Sequence, residues 1–548
     1  MLTLIPGVLP ILLLTIAMPG PTDPMGWFLA ILALIISVLI ALMGSLLGGG
    51  LSALFCAHRE IPNNAYGLCS GKGDVDASGV PGLTDWLHDL IQRVAGRGDD
   101  PKAPPLTFGD LWNTVEETAE RDIELVLMTT NVTQGIAQRF PFLDRPDGPF
   151  YFNEREFREL FPRDVVDWLV KTARPARGHP DIHCPNGFYG LPKAADLPIL
   201  LGARFSLSFP FLLSAVPLYA GNASSRNEGG QWQLERCWFS DGGLTSNFPI
   251  HFFDSLLPSR PTFGINLMPN TAVAVERNGA TDNVSAPLGE VAEGKANREP
   301  MDMVWMLKSN EPRQTAVFND FERKDAKLLS FFGALFDTAR NWTDSELMEM
   351  PGYRDRIIHI RLNDGEGGMN LDMKPEVIEN LGERGKAAGD LLNARFSPNP
   401  GKDPQTGDDI QLTWENHRWV RYRATMAALE DIARRFRQSW RRSEDPTSPW
   451  DSYEQLIERK VGEAPSHQWA NEAQREHALA ITRSFTKFVE GWKDDDQTFD
   501  RTDPDGKGRS PRPKSSFRIM PPGDGDPRAE RVVSPGADGK AADIAGVS

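Results

Sequence analysis

The hydrophobic and polar positions divide the chain into an apolar N-terminal stretch, a long region of strand and helix patterns, and a polar C-terminal end. Dense apolar runs predict strands at residues 123–131, 263–267 and 356–362. Apolar residues at helical spacing predict helices at 84–91, 153–161, 165–171, 375–396, 414–440, 453–461 and 471–492. Thr84 is placed to cap the first of these helices. Strands that alternate with helices over several hundred residues favour an α/β fold, with a mostly parallel sheet and helices on both faces.

The N-terminal stretch has no charged residue between Asp23 and Cys56, and its best membrane span lies at residues 27–47. An α-helix of about 20 apolar residues, rising about 1.5 Å per residue, spans the roughly 30 Å hydrocarbon core of a bilayer. The pattern predicts a transmembrane helix there, and the alternative is a helix buried in a protein core. Arg59 follows the stretch, so the positive-inside rule places the main domain of a membrane-associated protein in the cytoplasm. Insertion of residues 1–18 as well would form a hairpin and weaken this assignment of orientation.

The chain has 548 residues, of which 40% are hydrophobic and 24% charged, so it can bury a sizeable core. We divide it into a hydrophobic segment at 1–58, an α/β domain at 59–400, a helical region at 401–492 and a tail at 493–548. The tail is predicted to be disordered, because Asp, Gly, Pro, Ser and Arg dominate it and few apolar residues are left to bury. The helix at 414–440 is strongly basic, and its basic face fits either solvent or anionic lipid.

The formal net charge of -16 argues against a nucleic-acid-binding surface, which needs basic patches. The 4 cysteines are too scattered for a disulfide framework or a Cys-x-x-Cys metal site, which indicates a reducing compartment. His179, His183 and Cys184 lie close together in the sequence, but their Arg- and Pro-rich loop is more typical of a solvated surface than of a metal cluster. We therefore predict neither a metal site nor a cofactor.

An apolar run from Leu234 to Phe239 stops at Asp241, which is followed by Gly242 and Gly243. A buried strand that ends in this way presents a carboxylate in a tight loop. Glycine there permits a positive φ and lets another backbone or a substrate approach the carboxylate closely. Taken alone, these residues are also typical of an ordinary strand that ends in an Asp-Gly turn.

The residues around this motif narrow its interpretation. Asn247 and Pro249 follow the Asp-Gly-Gly, and a segment of small residues and prolines at 203–218 precedes it. In this order the elements resemble the second catalytic motif of the patatin-like phospholipases. The resemblance implies a patatin-like three-layer sandwich, in which Asp241 is the only base partner of a serine in a Gly-x-Ser-x-Gly turn. It also implies a bacterial membrane hydrolase of lipid degradation, whose partner is a membrane lipid or another acyl ester.

The pairing of serine with aspartate has a simple chemical basis. A serine hydroxyl is a weak nucleophile until a base within hydrogen-bond reach takes its proton. A carboxylate can be that base directly if its surroundings raise its proton affinity. The resemblance therefore requires no histidine, metal or cofactor.

The serine of the resemblance is not found in a Gly-x-Ser-x-Gly turn anywhere in the chain. The nearest match begins with Gly50-Leu51-Ser52 but has Leu54 in place of the second glycine, and it makes Ser52 the candidate nucleophile at the end of the predicted membrane helix. The segment 67–71 has the related pattern Gly-x-Cys-x-Gly around Cys69. Because no apolar strand precedes it, we predict a loop there.

The resemblance covers residues 63–429 and lacks the family's first strand and its nucleophile, so we expect a fold that is incomplete at its N-terminus. Two functions fit this pattern. One is a patatin-type lipid acyl hydrolase whose serine lies upstream of Met1, and the other is a catalytically inactive, membrane-attached pseudoenzyme or lipid-binding scaffold. An in-frame glycine-rich loop and Gly-x-Ser-x-Gly upstream of Met1 would favour the first. The acyl chain, the headgroup and the oligomeric state stay open.

Overall fold

A computed structural model of the chain describes residues 58–73, 81–112, 121–142, 150–174, 182–269, 300–310 and 348–512 with short gaps, together with a few isolated positions between 50 and 338. The fold is mixed α/β, with both parallel and antiparallel sheets, and this confirms the predicted class at that level. The described residues form two compact units, which divide after Thr245.

A six-stranded sheet dominates the first unit. The described strands of this unit, numbered along the chain, are β1 (Gly67–Cys69), β2 (Leu127–Asn131), β3 (Ile136–Phe140), β4 (Tyr151–Asn153), β5 (Phe188–Gly190), β6 (Phe211–Leu213), β7 (Val216–Arg226) and β8 (Trp232–Asp241). Six of them form one sheet in the order β3-β2-β8-β7-β4-β5, and every neighbouring pair in it is antiparallel.

The prediction of a mostly parallel sheet is therefore wrong for this unit, and short connections explain two of its antiparallel pairs. A tight turn that contains Gly135, at a φ of 68°, joins β2 to β3. Another turn joins β7 to β8, where the Asn227 N–H donates to the carbonyl of Gln231 at 2.9 Å. Parallel neighbours need a crossover of about a dozen residues or more, which such turns do not supply.

Five described helices pack against the sheet: α1 (Leu83–Val94), α2 (Phe108–Trp112), α3 (Glu154–Leu160), α4 (Arg163–Lys171) and α5 (Ile199–Ser206). The core between them is rich in phenylalanine. Phe205 of α5 and Phe239 of β8 are both fully buried, and their ring centroids lie 5.2 Å apart. This contact places α5 against the strand that ends at Asp241.

The start of α1 differs from its prediction. Its N-cap is Gly82, and Thr84 lies inside the first turn, where its hydroxyl is buried without a hydrogen-bond partner. The predicted Thr84 cap is therefore wrong. The preceding segment satisfies one N–H group of the helix start instead, because the carbonyl of Gly71 accepts the N–H of Thr84 at 2.8 Å. Asp85 in turn accepts the N–H of Gly73 in that segment.

A separate two-stranded parallel sheet joins β1 to β6, with Gly67 opposite Phe211. The loop predicted at 67–71 is thus a strand followed by a turn, because a pairing partner so far along the chain leaves no local signal. Three non-glycine residues beside this sheet have a positive φ, namely Ala65, Tyr66 and Phe211. Such backbone is uncommon for L residues, so tertiary contacts have to hold it.

The second unit combines a three-stranded sheet with long helices. Its described strands are β9 (Gly264–Pro269), β10 (Ala274–Val275), β11 (Val304–Trp305), β12 (Ala316–Val317) and β13 (Ile357–Leu362), and its described helices are α6 (Pro375–Phe396), α7 (Trp414–Ser443), α8 (Tyr453–Glu458) and α9 (Glu472–Gly491). β13 lies between β11 and β9 and runs parallel to β9. Ala388 and Leu391 of α6 pack on Ile358 of β13. The strand predicted at 356–362 and the helix predicted at 375–396 are confirmed.

Part of the predicted tail is described, and it contacts α7. Arg423 donates to the carbonyls of Phe499 and Gly508 at 3.1 and 2.6 Å, and Glu430 accepts the Phe499 N–H at 3.0 Å. Polar contacts hold these segments of the tail, so the scarcity of apolar residues did not predict their structure correctly.

No helix in the described ranges is long and apolar enough to cross a membrane. The span predicted at 27–47 falls outside those ranges, so the transmembrane prediction gains no support from the structure.

Candidate active site around Asp241

Asp241 is the last residue of β8 and is half-buried. It lies opposite Thr129 of β2, and Ser240 lies opposite Thr130. The Thr130 hydroxyl donates to the main-chain carbonyl of Asp241 at 2.8 Å and lies 2.9 Å from the hydroxyl of Thr245. The neighbouring strand therefore fixes the Asp241 main chain on one side.

The carboxylate of Asp241 caps the turn that follows β8. Gly242–Leu244 forms a single 3₁₀ turn, and the Gly243 N–H donates to Oδ1 of Asp241 at 2.6 Å. A carboxylate that accepts a backbone N–H at the start of a turn is held in one orientation by a charge-assisted hydrogen bond. Asp241 thus combines a fixed main chain with an oriented side chain.

Close packing, and not a positive φ, explains the glycine at position 242. Neither Gly242 nor Gly243 has a positive φ, so that part of the expectation is wrong. A Cβ on Gly242 would lie 2.3 Å from the carbonyl oxygen of Met128 and 2.6 Å from its carbonyl carbon. Because these are backbone atoms of β2, no side chain fits between this strand and the turn.

Ser208, just beyond α5, holds the Asp241 main chain on the other side. Its carbonyl accepts the Asp241 N–H at 2.9 Å and the Ser240 hydroxyl at 2.8 Å. Its own hydroxyl accepts from Nη1 of Arg204 at 2.6 Å and donates to the Arg204 carbonyl at 2.7 Å. These contacts connect α5 with the end of β8.

Arg204 carries a charge into this buried region, with a side chain only 2% exposed. Burial disfavours the charged form and lowers the pKa of the guanidinium to about 10. Nη2 donates to the carbonyls of Ser70 and Ser214 at 2.9 and 2.8 Å, while Nε has no hydrogen-bond partner. Sequence reasoning missed both Arg204 and Ser208, although Arg204 is the lone charged residue in the apolar stretch 197–213.

The structure describes the other predicted site residues only in part. Asn247 and Pro249 fall in the second unit, where Asn247 is exposed and the carbonyl of Pro249 accepts the N–H of Phe252. Ser52, the candidate nucleophile, lies outside the described residues. Cys69 is exposed, and its thiol donates to a carbonyl of β6 at 3.2 Å. Of the predicted pair, the structure therefore describes the carboxylate.

The described ranges contain no group of three or more His, Cys, Asp or Glu side chains arranged to hold a metal ion. Cys184 donates to the carbonyl of Phe188 at 3.5 Å, and burial raises the pKa of its thiol. The main chain of His183 donates to Trp232, and His179 lies outside the described residues.

No protein-family model matches the chain, and no solved structure matches it. A protein named RpoH suppressor, from Rhizobium meliloti strain 1021, is 31% identical to it over 538 residues. The match covers 89% of this chain and 75% of that protein. The similarity therefore extends over both described units.

The name of this relative designates neither a phospholipase nor an enzyme of lipid degradation. The expected classification as a phospholipase of lipid degradation is therefore wrong.

Proposed function

The chain belongs to the family of the RpoH suppressor of Rhizobium meliloti, and within that family we propose that Asp241 is the carboxylate base of a site that cleaves carboxylic esters. One observation carries the proposal. Asp241 ends a strand, caps a glycine turn with its carboxylate, and has its main chain held on both sides. A base needs such a fixed position, because it accepts a proton only from a group within hydrogen-bond reach.

The proposed reaction follows the serine–aspartate scheme. A serine hydroxyl attacks the ester carbonyl carbon while its proton passes to Asp241, and the leaving alcohol takes that proton as the C–O bond breaks. Water then attacks the acyl-serine with the same carboxylate as base, and this step releases the acid and restores the serine. Ser52, the candidate serine that this sequence offers, lies outside the described residues.

A patatin-like sandwich is the proposed finer description of the fold. The strand that ends in Asp-Gly-Gly and the parallel pair β9–β13 support it. The antiparallel six-stranded sheet departs from it. A crystal structure would decide the question through the direction of the strands on either side of β8.

Asp241→Asn tests the proposed base, because the amide keeps the shape of the carboxylate but is a far weaker base. In the full-length protein, we expect hydrolysis of p-nitrophenyl butyrate, and we expect this substitution to lower kcat by about 100-fold or more. Asp85→Asn is the matched control, since Asp85 also accepts a glycine N–H at 2.6 Å in the same unit, and it should keep kcat unchanged. Full activity of the Asp241→Asn protein would exclude Asp241 as the base.

The name of the relative supports a second candidate, a regulatory protein that acts on RpoH without turnover. A reporter of RpoH activity, measured in cells that produce the wild-type or the Asp241→Asn protein, separates the two candidates. Equal effects of both proteins, together with no ester hydrolysis, would favour the regulatory role. Loss of the effect in the variant would favour the ester-cleaving site.

A further inference from the structure

We infer that Arg204 and Ser208 are positioning residues for Asp241. The buried guanidinium orients Ser208, and the carbonyl of Ser208 sets the direction in which Asp241 presents its carboxylate. This inference rests on the proposed role of Asp241 as a base, and it extends that role to residues outside the Asp-Gly-Gly motif.

The carbonyl of Ser208 takes the place of a missing strand partner at the end of β8. The pairing of β8 with β7 ends where Phe239 lies opposite Val216. Beyond that point the N–H of Asp241 donates to Ser208 at 2.9 Å, and the hydroxyl of Ser240 donates to the same oxygen at 2.8 Å. Both lone pairs of the carbonyl are then in use, so a rotation of this peptide would pull the Asp241 main chain with it.

Arg204 fixes the peptide that makes these contacts. Its Nη1 donates to the Ser208 hydroxyl at 2.6 Å, and the same hydroxyl donates back to the Arg204 carbonyl at 2.7 Å. Ser208 is itself fully buried. The guanidinium is planar and rigid, so its Nη2, which donates to the carbonyls of Ser70 and Ser214, determines where Nη1 points.

The chemistry of the acceptors favours a positioning role over simple space filling. Each acceptor of Arg204 is a neutral hydroxyl or carbonyl oxygen, and a buried charge without an ionic partner is costly. A neutral side chain would fill the same volume at a lower desolvation cost. Charge-assisted hydrogen bonds are shorter and stronger than neutral ones. The positive charge of Arg204 therefore strengthens its bond to Ser208, which in turn holds the end of β8.

Arg204→Met and Arg204→Lys test the inference in the full-length protein. With p-nitrophenyl butyrate, we expect Arg204→Met to lower kcat by about tenfold or more and to leave KM within about twofold, because a displaced base slows the reaction and not substrate binding. Arg204→Lys keeps a charged donor and should recover part of kcat. Arg395→Met is the matched control: Arg395 is also 2% exposed, has a pKa lowered by burial to about 10, and donates to the Leu307 carbonyl in the second unit. It should destabilise the protein without lowering kcat.

Hydrogen exchange measured by mass spectrometry tests the geometry without any turnover. We expect the amide of Asp241 to exchange about tenfold faster in Arg204→Met and at the wild-type rate in Arg395→Met. If the wild-type protein cleaves no ester, the proposed function fails, and the exchange rates alone then decide the positioning role. Unchanged exchange at Asp241 in Arg204→Met, or equal acceleration in Arg395→Met, overturns the inference. Should Arg204→Met not fold, Ser208→Ala removes the hydroxyl that Arg204 holds but keeps the carbonyl, and the same outcomes apply to it.

Discussion

Nδ1 of His417 lies 2.7 Å from Oδ2 of Asp355, and both side chains are buried in the second unit. The imidazole also stacks on Trp414, with ring centroids 5.3 Å apart. His417 belongs to α7, whereas Asp355 lies in the 3₁₀ turn Arg354–Arg356 that leads into β13, so this pair joins a helix to the turn before a strand.

Substitution of His417 by Ala should destabilise the second unit. It leaves the Asp355 carboxylate buried, and Oδ1 of that carboxylate already has no hydrogen-bond partner. Breaking a buried pair from one side costs about 3–5 kcal/mol, so we expect the free energy of unfolding to fall by about 3 kcal/mol in urea denaturation. His477→Ala, at an exposed histidine of α9, is the control and should change it by less than about 0.5 kcal/mol. Equal urea midpoints for the two variants would show that the pair does not stabilise the fold.

A methyl group at Gly242 should disturb the end of β8. The added Cβ would lie 2.3 Å from the backbone oxygen of Met128, so one of the two segments has to shift. We expect Gly242→Ala to lower the free energy of unfolding by about 1–3 kcal/mol, measured by thermal denaturation. At Gly229 a Cβ would meet only the end of a side chain at 3.4 Å, and Gly229→Ala should be close to neutral. If both variants have the melting temperature of the wild type, β2 does not approach this turn closely enough to exclude a methyl group.

His359 should make the stability of the second unit depend on pH. Burial, with a smaller effect of nearby Arg361, lowers the pKa of His359 from 6.5 to about 4. The unfolded chain then binds this proton more readily than the folded one, so the contribution is complete above pH 6.5 and is lost as the pH falls from 6.5 towards 4. We expect the free energy of unfolding to drop by about 2–3 kcal/mol between about pH 7 and about pH 4.5 through this residue.

Urea denaturation at both pH values, with His359→Gln beside the wild type, isolates that contribution. The glutamine is uncharged at either pH and can still contact Asn266, which lies 3.1 Å from Nδ1 of the histidine. The variant should therefore lose most of the extra pH dependence. An identical drop in both proteins would assign it to other groups.

The described cysteines should react in the order of their exposure. Cys69 is exposed, Cys184 is half-buried with a thiol pKa raised by burial, and Cys237 is buried. The thiolate is the reactive form and has to be reached by the reagent, so iodoacetamide should modify Cys69 first and Cys237 last. Time-resolved alkylation of the native protein, followed by peptide mass spectrometry, measures the three rates. A Cys69 rate no higher than that of Cys237 would contradict the surface position of β1.

Local patterns predicted the long helices of the second unit and its strands β9 and β13 well. α6 begins at Pro375, as expected of a proline at the first helical position, and β13 occupies almost the range that its apolar run predicts. These features depend on residues within one turn or one strand. The direction in which strands pair depends on residues beyond a single strand. The antiparallel β7–β8 hairpin was missed, although Gly230, with a φ of 78°, lies in its turn.

In the candidate site, too, local sequence predicts some features, whereas others depend on distant parts of the chain. Asp241 follows from its own short motif, whereas Ser208 contributes through a carbonyl, which every residue has, and so leaves no mark in the sequence. The need for glycine at position 242 depends on the Met128 carbonyl of another strand. Arg204 alone carried a signal, as a charge in an apolar stretch, but its partners could not be read from it.

The bond between Arg204 and Ser70 connects residues 134 positions apart in the chain. Contacts of such long range form only after the intervening chain has closed into a loop, and this closure is what makes such topologies slow to fold. We therefore expect β1 to dock late during folding and to detach early in native fluctuations. In a partly folded chain, the β7–β8 hairpin with Asp241 would already be formed, but the contacts that orient Asp241 would not. The order of folding therefore delays the formation of a competent site.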